Sequence, residues 1–487
     1  MIRNFIYIYW LPLISMVSPI LLSQDLDAQS AKNIDLLGHW HDDTIPSNNG
    51  RFYSDCWGYA SNGREYAVIG SLAYVHLFEI EDYTGDLKEI GRFPGGSITG
   101  WREFKTYKDR LYAISDVGTE GMMIFDLSKL PDTITKTYHS ADYFQKAHML
   151  FIDEAVGRLY ITGSNSRING LQVFDIETNP DQPIMLASVD LPGGNYVHDV
   201  FVRDNIAYCS HGNNGLYVWD FNDPDHPVLL ASQVLNGYNH ASWMNKAGNL
   251  LINAEEVPRG LPLLLMDISG IEAGNLETIT DFRFPLLAPG FTDVTYHNPY
   301  FLGDYVIASA YEDGVHIFDV RDPVNPVHFG WYDTYPDNTA YTAYKGCWGV
   351  YPFLPSGRLV ASDMQRGLFI LRPHFLDSTE IRKETLKIWP SPADEYIKVH
   401  LSSDNLVYYN YILFNAAGQV FQKGTLCAYG DDSEQILDIS DIPPGLYGIR
   451  VEIAGDDPDF GFELPVVEDG RKREETAFSW FYKYAKD

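Results

Sequence analysis

A segment built as an apolar strand, an acidic residue, a turn with prolines and a second apolar strand recurs along this chain. Its copies read "AYVHLFEIED" from residue 73, "EGMMIFDLSK" from 120, "NGLQVFDIETNPDQP" from 169 and "NGLYVWDFNDPDHP" from 214. They continue as "LPLLLMDIS" from 261, "DGVHIFDVRDPVNP" from 313 and "RGLFILRPHF" from 366. Aligned on the acidic position, they place Glu79, Asp126, Asp175, Asp220, Asp267, Asp319 and Arg372 at steps of 47, 49, 45, 47, 52 and 53 residues. Each unit holds several short runs of β-formers split by turn residues, as in "VHDVFVRD", "NIAYCSH", "GLYVWDF" and "PVLLASQV". Four antiparallel strands per unit, repeated around a ring, is the signature of a β-propeller. The Asp of "FDxxDPxxP" reads as a turn builder whose carboxylate satisfies turn amides, and the prolines fix the bend.

A ring must close, or two sheet edges stay open. The seventh unit has "GCWGVYPFL", "RLVASDM" and "GLFILRP" but no fourth strand. Near the N-terminus "NIDLLGHWHDD" contains "LLGHW", which matches the outer-strand pieces "LLASQ" and "HFGWY". The expected fold is therefore all-β: a seven-bladed propeller over residues 31–376, closed by an N-terminal strand. After Phe375 the pattern changes to "LKIWPSPADEYIKVHL", "YNYILFNAAGQVFQKG" and "ILDISDIPPGLYGIRVEI", which read as a small β-sandwich over 377–469. A charged and aromatic tail, 470–487, follows as a short amphipathic helix or a disordered end.

The propeller units resemble LVIVD repeats, and residues 33 to 374 resemble the choice-of-anchor B family of secreted bacterial proteins. "REYAVIGS", "GWREFKTY", "AHMLFID", "YVHDVFVRD", "NHASWMN" and "KGCWGVYPFLPSGRLVASDMQRGLFIL" carry that resemblance. It implies a secreted propeller and no particular reaction. The C-terminal module resembles the type A sorting domain of the type IX secretion system, through its P-x-P-A-x-x-x-I, F-x-x-x-G-Q-V and D-I-S-x-I-P-x-G-x-Y pieces. That resemblance implies contact with the secretion machinery, and residence outside a Gram-negative cell, secreted or at the outer-membrane surface. A carbohydrate-binding or fibronectin-like spacer is the alternative. The tail departs from the pattern, since such domains usually end soon after their last strand.

The start, "MIRNFIYIYWLPLISMVSPILLSQDLDAQSAKN", has a basic Arg3, an apolar run from Phe5 to Leu22 and small residues at Ala28-Gln29-Ser30. It reads as a signal peptide over 1–30, with a membrane anchor as the alternative; Pro12 and Pro19 favour removal. No later run would cross a bilayer. The net charge of -31, from 35 basic and 66 acidic residues, repels phosphate backbones and argues against nucleic-acid partners. The four cysteines, Cys56, Cys209, Cys347 and Cys427, form no CxxC pair. Cys56 and Cys347 share a place in "CWG" on the first and last units, so an exported protein would permit a disulfide at the seam.

Chemistry is expected where innermost strands begin and the next strands end. The equivalent positions are Asp55, Arg102, His148, His198, His240, His297 and Gly346. Four consecutive units thus offer a His at one place, out of 14 in the chain. The ends of the second strands add Asp116, His211, Glu255, Glu256, Tyr311 and Asp363. Imidazoles on neighbouring strands with carboxylates nearby are a ligand set for a divalent metal ion, here His148, His198, His240 and His297. The same groups, with Asp55, Arg102, Asp116, His211, Glu255 and Asp363, would bind a small polar or anionic ligand, or act as acid and base. A hydrated polar throat, or a scaffold that binds an extracellular protein through its loops, are the remaining readings. No GxSxG, HExxH, P-loop, GxGxxG or EF-hand motif is present, which lowers the odds of a common hydrolase, zinc protease or nucleotide enzyme. An extracellular binding module is the leading expectation, with a metal-dependent or acid–base enzyme as the alternative.

Overall fold

The computed structural model describes residues 30–81, 84–194, 196–287, 292–374, 387–389, 396–415, 419–453 and 476–483. The expected signal peptide lies outside these, apart from Ser30. Between residues 31 and 373 the chain builds one four-stranded antiparallel sheet after another, a propeller-like arrangement. The first sheet takes Tyr53–Ser61, Arg64–Ser71, Tyr74–Ile80 and Leu87–Pro94 in sequence order. Four further meanders follow the same order, starting at Arg102, Met149, Asp199 and Asn239. A sixth, from Pro299 to Tyr332, gains Ala31–Lys32 along its outer edge.

The last sheet takes only three strands from its own unit, Cys347–Tyr351, Leu359–Asp363 and Gly367–Pro373. Its fourth is Ile34–Trp40, antiparallel to Gly367–Pro373, with Leu36 opposite Leu371 and His39 opposite Phe369. Some 330 residues of sequence separate the partners, yet the pairing removes an exposed edge from each segment.

Burial explains the strand sequences. Third strands such as Met122–Asp126 and Leu263–Asp267 are buried on both faces apart from the terminal Asp, so they read as continuous apolar runs. Outer strands such as Val228–Gln233 are largely exposed and tolerate polar residues. Register shifts recur between third and fourth strands at Leu77/Phe78, Val173/Phe174, Val218/Trp219, Leu265/Met266 and Ile317/Phe318. Such bulges increase local twist.

The repeated Asp builds turns, as its context suggests. Oδ1 of Asp126, Asp175, Asp220, Asp267 and Asp319 each accepts the amide of the residue two places on, at 2.7 to 3.1 Å. These carboxylates are spent on masonry rather than on a ligand.

In the C-terminal module, Tyr396–Asn415 pairs with Lys387–Trp389, Val420–Asp438 and Gly445–Ile453. This long strand serves partners along both its halves: residues 398–400 pair with Lys387–Trp389 and residues 409–415 with Gly445–Ile453, with register breaks between them. Ile397, Val399, Tyr411, Leu413, Ile449 and Val451 pack in its apolar cluster. The tail corrects an expectation: residues Thr476–Lys483 are neither helix nor disordered end but a strand antiparallel to Gly445–Ile453. Its alternating "TAFSWFYK" suits a pleated surface. Among the described residues no helix is long and apolar enough to cross a membrane.

Candidate functional site

The four aligned histidines stand side by side. His148 and His198 have ring centroids 4.3 Å apart, His198 and His240 4.5 Å, and His240 and His297 4.1 Å. Each lies at the start of an innermost strand, just before Met149–Asp153, Asp199–Arg203 and Pro299–Leu302 or within Asn239–Met244. Equivalent strand positions thus become a continuous row of imidazoles. The row lines a cavity of about 60 Å³, together with Glu103, Asp199, Glu256, Trp101 and Trp348. That is room for an ion with a few waters; a drug-sized ligand needs roughly 300–1,000 Å³.

The outer nitrogens of the row have partners. His148 Nδ1 lies 3.3 Å from Asp116 Oδ2, His198 Nδ1 3.2 Å from the Tyr238 hydroxyl, and His297 Nδ1 donates to the Trp348 carbonyl at 2.7 Å. A carboxylate or carbonyl on Nδ1 leaves Nε2 with a lone pair to offer, the arrangement seen behind metal-bound imidazoles. His198 Nε2 and His240 Nδ1 are buried without a partner. Burial, then the neighbouring imidazoles, holds His198 well below its usual range; burial does the same to His297, and His240 is lowered despite Glu256. Neutral imidazoles are the ligand form.

Glu256 completes the cluster. His198, His240 and Glu256 each offer a ligand atom, all within 4.8 Å of one another. Tyr311 donates its hydroxyl to Glu256 Oε1 at 2.5 Å. The donor set of two imidazoles and one carboxylate, with orphaned buried nitrogens, fits a divalent transition metal ion and leaves a coordination position open.

Below the row, Asp55 and the residues that follow Arg102 and His198 supply carboxyls. Asp55, Glu103 and Asp199 are buried, and Lys105 Nζ lies 3.8 Å from Glu103 Oε2 and 4.2 Å from the centroid of Trp57. Burial pushes all three carboxyls up, Asp199 to about 6; Glu103 and Asp55 are hydrogen-bonded to each other. Three residues beyond their histidines, Phe151, Phe201, Trp243 and Tyr300 meet ring to ring, and Phe353 packs on Trp243 and Tyr300. These rings form one connected aromatic layer.

The structure removes several expected residues from the site. Arg102 is fully buried and spends its guanidinium on the carbonyls of Ser71, Leu72, Gly95 and Ser97, so it cannot hold an anion. Asp363 accepts Thr334 Oγ1 and the amides of Gln365 and Arg366, each at 2.8 Å, as the anchor of a turn. Glu255 accepts the Gly237 amide; strand alternation turns it away and turns Glu256 in. His211 packs on Tyr217 with centroids 4.6 Å apart, outside the cavity lining, and burial pushes it down to about 4. Asp55 sits one layer too deep for the row, and Asp116 acts through His148. Cys56 and Cys347 are free, buried thiols. Each points its Sγ at a carbonyl 3.6 Å away, of Val360 and Gly349 respectively, so the expected seam disulfide is absent.

Residues 387–457 match the secretion system C-terminal sorting domain family. Comparison with curated proteins gives no significant match. Among solved structures, the chain is similar to a functionally unknown protein from Desulfotomaculum acetoxidans, at 13% identity over 58% of this chain and 85% of that one, with a TM-score of 0.44. It is also similar to PorZ, a surface component of the type IX secretion system of Porphyromonas gingivalis, at 10% identity over 92% of this chain and 61% of that one, with a TM-score of 0.45. The sorting domain marks a protein exported by the type IX route to the cell surface or outer membrane, with the secretion machinery as a partner.

Proposed function

We propose that this chain is an exported β-propeller that binds a divalent transition metal ion at the open end of its histidine row and serves outside the cell as a binding module. The observation that carries the reading is the convergence of His198, His240 and Glu256 ligand atoms within 4.8 Å, with His198 Nε2 buried and unpartnered. An imidazole nitrogen buried without a partner costs about 1–3 kcal/mol, which a bound ion would recover. His148 and His297 flank the ion, oriented by Asp116 and the Trp348 carbonyl.

The reading includes a seven-bladed ring closed by Ile34–Trp40, of the LVIVD and choice-of-anchor B kind, on a mature chain that starts near Ser30. Ring closure is supported by Cys56 Sγ on the Val360 carbonyl and by Phe52 and Tyr53 amides on the Met364 carbonyl, which join the first and last sheets. A metal-dependent enzyme is the second reading, favoured by the open coordination position and by Asp199, a carboxyl that lines the same cavity.

Elemental analysis of the purified mature protein tests the proposal. About one transition metal ion per chain is expected, with loss in His198→Ala and His240→Ala. A metal-free protein whose melting temperature is unchanged in those variants and by added zinc would sink it.

A further inference from the structure

Arg51 occupies the place that the sequence pattern assigned to Arg102. It closes a two-residue hairpin, "NNGR", in which Asn49 and Gly50 have φ of 52° and 76°. Asn48 and Arg51 exchange both backbone hydrogen bonds, at 2.9 and 3.0 Å. Positive φ at both central positions is the type I′ turn, which Asn-Gly favours. The next amide, of Phe52, is tied to the Met364 carbonyl at 2.8 Å. The backbone under Arg51 is therefore fixed.

Its side chain is fixed as well. The guanidinium carbon lies 5.3 Å from the centroid of Trp101 and 5.4 Å from that of Trp348, between two indoles that both line the metal cavity. Such cation–π contacts hold a guanidinium in place while leaving its N–H edge free. Among the described residues the Arg51 guanidinium makes no hydrogen bond, unlike that of Arg102 with its four carbonyls. The half-buried Arg51 thus presents a preorganised, unsatisfied fork at the entrance to the cavity.

The charges at this entrance favour an anion once a metal ion is bound. Glu256 and the Tyr311 hydroxyl are the acidic groups that face Arg51, and Asp116 faces His148. Without metal, Glu256 balances Arg51. With a divalent ion on His198, His240 and Glu256, the ion and Arg51 leave a net positive entrance despite the overall charge of -31.

We propose that Arg51 and the metal ion together hold an oxyanion, a carboxylate or phosphate group of an extracellular ligand, with one oxygen in the open coordination position and another on the guanidinium fork. Bidentate recognition of planar or tetrahedral oxyanions is the chemistry for which arginine is suited. The small cavity admits only the anionic group; the rest of the ligand stays outside. This inference rests on the metal reading above.

The test uses the full-length mature protein loaded with Co²⁺, whose visible absorption reports its coordination. Sodium acetate and inorganic phosphate are titrated separately, and the one that perturbs the spectrum at lower concentration identifies the group. Arg51→Gln should weaken that anion about tenfold or more, while Co²⁺ affinity stays within about threefold, the loss expected for a charge-assisted hydrogen-bonded pair. Arg51→Lys, which keeps the charge and loses the fork, should fall between; it also stands in if Arg51→Gln does not fold. Co²⁺ uptake with no response to either anion, or an equal response in the Arg51 variants, overturns this proposal and leaves the metal site standing. Failure to take up Co²⁺ overturns both.

Discussion

The Tyr311 hydroxyl donates to Glu256 Oε1 at 2.5 Å, while Glu256 Oε2 lies 3.9 Å from His240 Nε2. One carboxylate oxygen is thereby held by a buried phenol and the other is turned toward the imidazoles. Tyr311→Phe is expected to lower metal affinity about tenfold, the usual cost of losing an orienting hydrogen bond behind a ligand. Competition with a chromophoric chelator measures it. An unchanged affinity would mean that Glu256 is placed by packing alone.

Arg102 belongs to the framework. Its side chain bonds four carbonyls in two loops, and Arg102→Met would leave them buried without donors. A loss of about 3 kcal/mol or more is expected in urea unfolding, with metal uptake by the folded fraction unaltered. Selective loss of ligand binding at full stability would return Arg102 to the site.

Deleting residues 31–40 strips Ile34–Trp40 from the Gly367–Pro373 edge. The exposed ladder and the apolar faces of Leu368, Ile370 and Leu371 would then be open to pairing with other molecules. A lower melting temperature and concentration-dependent association by light scattering are expected. A monomer of undiminished stability would contradict the role given to this strand.

Asp313 supplies a pH signature. Burial pushes its carboxyl up to about 7, against the Tyr341 hydroxyl and Leu286 amide that donate to Oδ2 at 2.6 and 2.8 Å. A carboxyl raised on folding is penalised once ionised, so its cost is absent below the unfolded value near 4 and complete above about 7. Asp313→Asn, which keeps an acceptor and cannot ionise, should gain stability over the natural protein as pH rises through that window. The gain is on the order of 4 kcal/mol by linkage, read from urea unfolding between about pH 4 and 8. A gap that does not vary with pH would refute this.

Truncation after residue 374 removes the matched sorting domain. The shortened chain should fail to reach the cell surface and should accumulate in the periplasm, as read by surface labelling and fractionation. Surface display without the domain would show a second export signal.

The repeat made the sheets legible, because an Asp-bounded apolar run at intervals of about fifty residues has few other uses. It also aligned His148, His198, His240 and His297, and the structure brings all four together. Alignment gives a position along a strand and no side-chain direction. Arg102 shares the histidines' position yet points back into its sheet, because loop carbonyls there await donors. Glu255 and Glu256 are neighbours in sequence, and only the pleat decides which faces the cavity. Arg51 has no counterpart in other units, since it stands in a turn that only the first possesses. The cysteines matched in sequence place, but pairing depends on where each thiol points.

The connected rings of Phe151, Phe201, Trp243, Tyr300 and Phe353 stand three residues along the strands from the histidines, a rigid backing to the site.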